Sequence, residues 1–166
     1  MAYAPQESRI VEQAIATNST TQKHQLGSII RAYDSTYGEG EFIYLIGVAS
    51  TTVGSVVEYS TTYQTGLSTV ALTTPHPLAV AMSACVAGEY GWYQISGESI
   101  MVKTATVSFA ANAAVGTGAG LAIAIVTGLV VNGACVAVVA SAATGVVTGR
   151  VMIDRPSAPA HPDATA

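Results

Sequence analysis

The sequence predicts an all-β fold, and three observations support this prediction. From Leu26 onward, short segments rich in Ile, Val, Tyr and Phe alternate with segments rich in Gly, Ser and Thr, as in strands joined by turns. No stretch carries a long helical period of apolar residues. Charged residues make up only 10% of the chain, against about 25% in a typical soluble domain. We therefore expect a compact β-barrel or β-sandwich with an extended N-terminal arm and a Pro/Ala-rich C-terminal tail.

The first predicted strands cover residues 28–33 and 41–48, which flank a turn signal at residues 38–40 (GEG). A second turn signal at residues 50–52 (STT) precedes a strand over residues 53–59. Each predicted strand is rich in β-branched and aromatic residues, and each is bounded by residue types that favour turns.

The later strands are predicted by the same alternation, with Gly88 and Gly97 as turns and a Gly-rich turn at residues 116–120. Short strands at this spacing are typical of a barrel or sandwich, and not of a parallel sheet with crossover helices. The strands predicted after residue 59 cover residues 78–86, 90–96, 99–103, 106–110, 121–131, 134–140 and 146–153.

Residues 104–149 contain no Asp, Glu, Lys or Arg. Residues 121–147 are long enough for a membrane helix, but Thr, Gly and Asn interrupt them and no aromatic or basic flank is present. The pair Asn132-Gly133 instead favours a tight turn, which predicts a hairpin of residues 121–131 and 134–140. We expect the core to cover one face of this hairpin and a neighbouring subunit to cover the other.

The two ends of the chain differ from its middle. Residues 1–25 are polar and broken by Pro5, although Ile10, Val11 and Ile15 would lie on a short helix capped by Ser8. Residues 154–166 combine three prolines with Ala and Ser. We expect an arm over residues 1–25, a β-domain over residues 26–153 and a flexible tail over residues 154–166.

Charge and cysteine content exclude several classes of function. The net charge is −4 and no basic stripe is present, so nucleic acid is not an expected partner. Residues 1–25 lack the apolar core of a secretory signal, so synthesis in a cytoplasm is expected. Cys85 and Cys135 lie among small apolar residues and are expected to be free, buried thiols.

Motifs for cofactors, metals and nucleophiles are absent from the sequence. The run at residues 116–120 (GTGAG) lacks the G-x-G-x-x-G spacing of a dinucleotide fingerprint. His24, His76 and His161 are scattered without metal-ligand spacing, and no G-x-S-x-G elbow occurs. We expect no enzyme activity, no catalytic residue, no metal and no cofactor.

Two side-chain groups remain as candidates for recognition. Asp34, Glu39 and Glu41 gather around one turn, where carboxylates are either solvated or able to bind a cation or a sugar. Tyr90 and Trp92 are predicted to share one face of a strand, with Tyr93 on the other. Aromatic residues are common both in cores and at interface centres. The candidate interface residues are Tyr33, Tyr37, Tyr90, Trp92, Tyr93, Ile10, Val11 and Ile15.

Several blocks resemble virion structural proteins of tailed bacteriophages, of the kind that act as capsid decoration or cement proteins. The first block covers residues 25–45 (QLGSIIRAYDSTYGEGEFIYL) and continues in residues 47–50 (GVAS). The second half of the resemblance consists of residues 79–83 (AVAMS), 90–95 (YGWYQI) and 110–113 (AANA). The resemblance covers roughly residues 25–120, and the Ala/Val-rich region after Gly120 departs from the family pattern.

This resemblance implies a β-domain that forms a homotrimer and binds the major capsid protein on the capsid exterior. Such a protein adds stability through many symmetric contacts. The alternative is a tail- or fibre-associated module that binds glycans through exposed aromatics and the acidic turn, which is defined by Asp34, Glu39 and Glu41. A third class, a glycan hydrolase, depends only on Asp34, Glu39 and Glu41.

Overall fold

The computed structural model describes residues 4–5, 12–68, 76–103, 108, 110–118, 120–123, 130–138 and 147–158. These residues form twelve strands and no helix, which confirms the all-β prediction. One sheet contains all twelve strands, and most pairs are antiparallel. The strands are β1 (Ala4–Pro5), β2 (Asn18–Ser19), β3 (Ile29–Asp34), β4 (Gly38–Ile46), β5 (Val56–Tyr59), β6 (Thr65–Leu67), β7 (His76–Ala81), β8 (Tyr90–Lys103), β9 (Ala114–Gly118), β10 (Leu121–Ile123), β11 (Val130–Val136) and β12 (Val147–Ala158).

Strands β3 and β4 correspond to the predicted strands over residues 28–33 and 41–48, and they pair as a hairpin. The predicted turn at residues 38–40 is wrong, because these residues begin β4 and the turn covers residues 35–37. The Asp34 carboxylate accepts hydrogen bonds from the backbone N–H groups of Thr36 at 2.7 Å and Tyr37 at 3.1 Å. An Asp at this position stabilises a turn through its own side chain. The local sequence therefore specifies the hairpin.

Strand β8 is one strand, and the predicted turn at Gly97 is wrong. Its first half pairs with β4 from Tyr90 onward, and its second half pairs with β12 as far as Lys103. Gly97 has a φ of 99° and lies at the transition. A Cβ there would approach the backbone oxygen of Glu39 to 2.3 Å. Glycine thus lets β8 change partners without ending.

The hairpin predicted at Asn132-Gly133 is also wrong. Strand β11 passes through both residues and pairs with β9 on one side and β12 on the other. Gly133 does take a positive φ, of 72°, but this conformation produces a register shift opposite β12 and not a chain reversal. A Cβ on Gly133 would lie 2.3 Å from the backbone oxygen of Asp154, so a long-range contact decides how the dipeptide is used.

Short segments near both ends of the chain pair with the sheet. Strand β1 pairs with β3, and β2 pairs with β8, so two dipeptides of the expected arm belong to the sheet. Ile15 is buried in the core. Strand β12 continues through Asp154 to Ala158, which places five residues of the expected tail in regular structure. Ile10, Val11 and residues 159–166 lie outside the described residues.

Three hydrophobic clusters form the core. The first joins the Val-rich strands of the uncharged region to β5, β7 and the second half of β8. The other two lie on opposite faces of β4 and the first half of β8. Trp92 belongs to one of these clusters and Tyr93 to the other, which confirms their predicted opposite orientation. Cys85 is a buried free thiol and Cys135 a half-buried one.

Several predicted strands fall partly outside the described residues. Of residues 106–110, only 108 and 110 are described, and neither belongs to a strand. Residues 124–129 and 139–146 are likewise outside, so the predictions over 121–131, 134–140 and 146–153 can be compared only at β10, β11 and β12.

Candidate functional site

The N-terminal segment, defined here as residues 12–26, covers one aromatic face of the sheet. Alternate residues of β4 and β8 place Tyr44 and Trp92 on this face. Their ring centroids are 4.9 Å apart. Ile15 and Leu26 pack against the same cluster. The segment therefore completes a core that the strands alone would leave open to water.

Gln13 attaches this segment by hydrogen bonds to two strands. Its side-chain amide donates to the backbone oxygens of Tyr90 at 2.9 Å and Thr17 at 2.8 Å. Its Oε1 accepts from the Tyr44 hydroxyl at 2.7 Å. The Trp92 indole donates to the Gln13 backbone oxygen at 3.0 Å. Both polar atoms of the buried aromatic pair are thus satisfied by one residue.

The His24 ring packs against the rings of both Tyr44 and Trp92, with centroids 5.1 and 5.0 Å away. Its Nε2 is buried and has no hydrogen-bond partner among the described residues. Burial lowers the pKa of His24 below its usual value, and the nearby carboxylate of Glu12 partly opposes that effect. Neutral imidazole is therefore the form that fits this position.

The structure separates the predicted interface residues into core and surface. Trp92 and Tyr93 are 0% exposed, which removes both from any surface that the folded chain presents. Ile15 is buried in the same way. Tyr37 and Tyr90 are half-buried against the aromatic cluster. Tyr33, at 49% exposed, is the predicted interface residue that the described surface presents most fully.

Tyr33 belongs to an exposed face of β3, which we call the β3 face and define by Ile29, Arg31 and Tyr33. These residues alternate along the strand and point to the same side. Ile29 is 44% exposed. Arg31 lies between the two apolar residues and binds Glu41 on β4 at 3.1 Å. The β3 face therefore combines two exposed apolar side chains with one compensated charge.

Two carboxylates of the acidic turn, those of Asp34 and Glu41, bind other residues of the chain. Asp34 is buried and holds the turn of the hairpin. Glu41 binds Arg31 and also the Nη2 of Arg155 at 2.7 Å. Glu39 lies opposite Tyr33 in the hairpin register. These contacts give Asp34 a structural role in the hairpin turn and Glu41 one between β3, β4 and β12.

Cys85 and Tyr93 are nucleophile types that lie together in the core. Burial raises the pKa of the Cys85 thiol and of the Tyr93 phenol. Both groups are therefore protonated at neutral pH, and a protonated thiol is a poor nucleophile. Within the described ranges, no group of three or more His, Cys, Asp or Glu side chains is placed to hold a metal ion.

Sequence reasoning missed Gln13 and Arg155. Gln13 lies in a polar segment with no signal that its amide would become buried. Arg155 falls in the expected tail, although it lies on β12 with a φ of 43°. A left-handed conformation at a non-glycine residue is uncommon, and no local sequence signal announces it.

Comparisons of the chain with protein-family models, with curated proteins and with solved structures found no match. Among the described residues, no helix has the length and apolar character needed to cross a membrane.

Proposed function

We propose that this chain is a capsid decoration protein of a tailed bacteriophage, which binds the major capsid protein on the head exterior and stabilises the shell. The residues that carry the resemblance support this proposal because they lie together. Residues 25–45 include β3 and most of β4, and residues 90–95 begin β8. These three strands are neighbours in the sheet. Blocks that are distant in sequence thus form one continuous unit.

The β3 face is the observation on which the proposal depends. Ile29 and Tyr33 expose apolar surface next to each other on one strand. Exposed aromatic and aliphatic residues of this kind are typical of the centre of a protein interface, and Tyr is enriched there. The ion pair of Arg31 with Glu41 compensates the charge between them, so docking would not bury an unpaired charge.

Shell attachment of this kind requires area and complementarity, and it needs no reacting group. A homotrimer presents three copies of the β3 face to a symmetric surface. The three linked faces then bind the shell at the same time, and the affinity of the trimer exceeds that of a single face by orders of magnitude. Self-association and shell binding are therefore parts of the same proposal.

The test uses the purified full chain and empty heads made of the cognate major capsid protein. We expect the chain to elute as an oligomer, to co-sediment with the heads and to raise their disruption temperature. The double variant Ile29→Ser, Tyr33→Ser should bind at least about tenfold more weakly, because interface aromatics commonly contribute about 2 kcal/mol or more.

Val53→Ser, Val86→Ser is the matched control. Both valines are exposed apolar residues outside β3, so this variant should bind heads like the unmodified chain. Elution as a monomer without head binding would contradict the proposal. Equal binding by the two double variants would show that the β3 face is not the contact.

A further inference from the structure

Strand β12 changes partner around Arg155, and a groove lies beside this residue. The strand pairs with β8 up to Asp154 and with β7 from Ser157. The pairing of β12 with β11 also shifts register, between the pairs Asn132–Ser157 and Ala134–Ile153. Arg155 takes its left-handed φ of 43° within this irregular stretch. Bulges of this kind redirect a side chain and recur next to functional sites.

The groove beside Arg155 has a volume of about 320 Å³. Pro77, Ile95 and Pro156 supply apolar walls. Tyr59, His76, Ser157 and Arg155 are the polar residues of its lining. Small-molecule sites combine apolar walls with polar groups that fix the orientation of the ligand, and their volumes begin at about 300 Å³. The lining residues are Tyr59, His76, Pro77, Ile95, Arg155, Pro156 and Ser157.

The groove presents an arginine in a protein of negative net charge. The chain carries a net charge of −4, yet the described residues that line the groove include an arginine and no carboxylate. The guanidinium of Arg155 is held by Glu41 through Nη2 at 2.7 Å. That bond uses one of the five N–H donors of a guanidinium. The Arg155 side chain is 60% exposed, so its other donors are accessible to a ligand.

Tyr59 and Arg155 face the same space from two different strands. The phenol of Tyr59 has a raised pKa, mainly because it is buried, and the charge of Arg155 partly opposes this effect. This electrostatic effect requires the two groups to be close. A planar guanidinium binds a carboxylate through two parallel hydrogen bonds, while an aromatic side chain and prolines provide surfaces for a ring.

We propose that this groove binds a sugar acid, with Arg155 on the carboxylate and Tyr59, His76 and Ser157 around the ring hydroxyls. The class of ligand follows from the combination of one exposed guanidinium, several hydroxyl and imidazole groups and apolar walls. In this proposal the sugar binds in the groove, and not at the acidic turn or at Trp92. Glu41 links Arg155 of the groove to Arg31 of the β3 face, but a ligand titration without phage heads tests the groove separately from shell binding.

The test is a titration of the intact isolated chain, without phage heads, followed by ¹⁵N chemical shifts. The probe is D-glucuronate. Glucose and acetate, which provide the ring and the carboxylate separately, are the comparison ligands. We expect saturable shifts at the amides of Tyr59, Ile95 and Ser157 with glucuronate. Glucose and acetate should each bind at least about tenfold more weakly.

Two arginine variants form a matched pair. Arg155→Gln should weaken glucuronate binding at least about tenfold, whereas Arg31→Gln should change it less than about twofold. Each variant removes one of the two arginines that bind Glu41, but only Arg155 lines the groove. If Arg155→Gln does not fold, Arg155→Lys keeps the charge without the bidentate fork and should show the same loss.

Absence of saturable glucuronate binding would overturn the proposal. So would shifts located away from the groove, or equal binding by the Arg155 and Arg31 variants. Because phage heads take no part in this titration, its failure leaves the shell proposal intact.

Discussion

At the scale of single residues, Gln13 shows how one side chain can fix a segment without regular structure. Its hydrogen bonds satisfy the buried hydroxyl of Tyr44 and the backbone oxygen of Tyr90. A buried polar group without a partner destabilises the folded state by about 1–3 kcal/mol. The segment is therefore held by polar complementarity as well as by the burial of Ile15.

Gln13→Ala is expected to reduce the free energy of unfolding by about 2–3 kcal/mol, because it removes a partner from two buried groups. The measurement is denaturant unfolding followed by Trp92 fluorescence, since the indole lies under the segment. Gln22→Ala is the control, because the Gln22 amide makes an exposed hydrogen bond within the same segment. An equal effect of both substitutions would contradict the role given to Gln13.

His24 makes the same segment sensitive to pH. Its pKa in the folded chain lies below the usual histidine value of 6.5, so the unfolded chain binds the proton more tightly. Stability from neutral His24 is present above pH 6.5 and decreases as the pH falls from 6.5 through the lower folded pKa.

We therefore expect the unmodified chain to lose more stability than His24→Phe when the pH is lowered from about 8 to about 5. Phenylalanine keeps a ring against Tyr44 and Trp92 but cannot be protonated. Denaturant unfolding at each pH gives the comparison. Parallel pH profiles for the two proteins would show that His24 does not titrate as proposed.

At the scale of elements, the two irregular glycines decide where strands continue. Gly97 allows β8 to leave β4 and continue beside β12. Gly133 allows β11 to pass β12 at a register shift. In both cases the backbone has a positive φ, and a backbone carbonyl oxygen lies only 2.3 Å from the position that a Cβ would take. A sequence signal for a turn is therefore also a signal for a bulge.

Gly97→Ala is expected to destabilise the fold by roughly 1–3 kcal/mol through backbone strain, and further through the contact with Glu39. Gly38→Ala is the matched control, because Gly38 has a φ of 75° but a Cβ added there would meet no described atom within 4 Å. Gly38→Ala should therefore show the effect of strain alone. Thermal unfolding of both variants measures the difference, and a smaller effect at Gly97 than at Gly38 would refute the explanation.

At the scale of the whole molecule, described residues of the uncharged region contribute to the core of the sheet. Val115, Val131 and Val136 come from residues 104–149 and pack with Val151 and Ile153 in one cluster. The apolar surface that remains exposed includes Ile29 and Tyr33 on the β3 face. The sheet thus covers much of the described apolar region by itself, and the β3 face is the surface that we propose for partners.

The sequence alone determined the strand character of the chain, because alternation and turn chemistry are local properties. It therefore predicted the two strands that correspond to β3 and β4, although not the position of the turn between them, and the opposite faces of Trp92 and Tyr93. Only the tertiary structure decided that residues 12–26 cover the Trp92 face, that Asn132-Gly133 is a bulge, and that Arg155 faces a groove. Each of these depends on a contact with a residue far away in the chain, such as Asp154 beside Gly133 or Glu41 beside Arg155. The local sequence limits the conformations that a residue can adopt, and the contact with a distant residue determines which of them the fold contains.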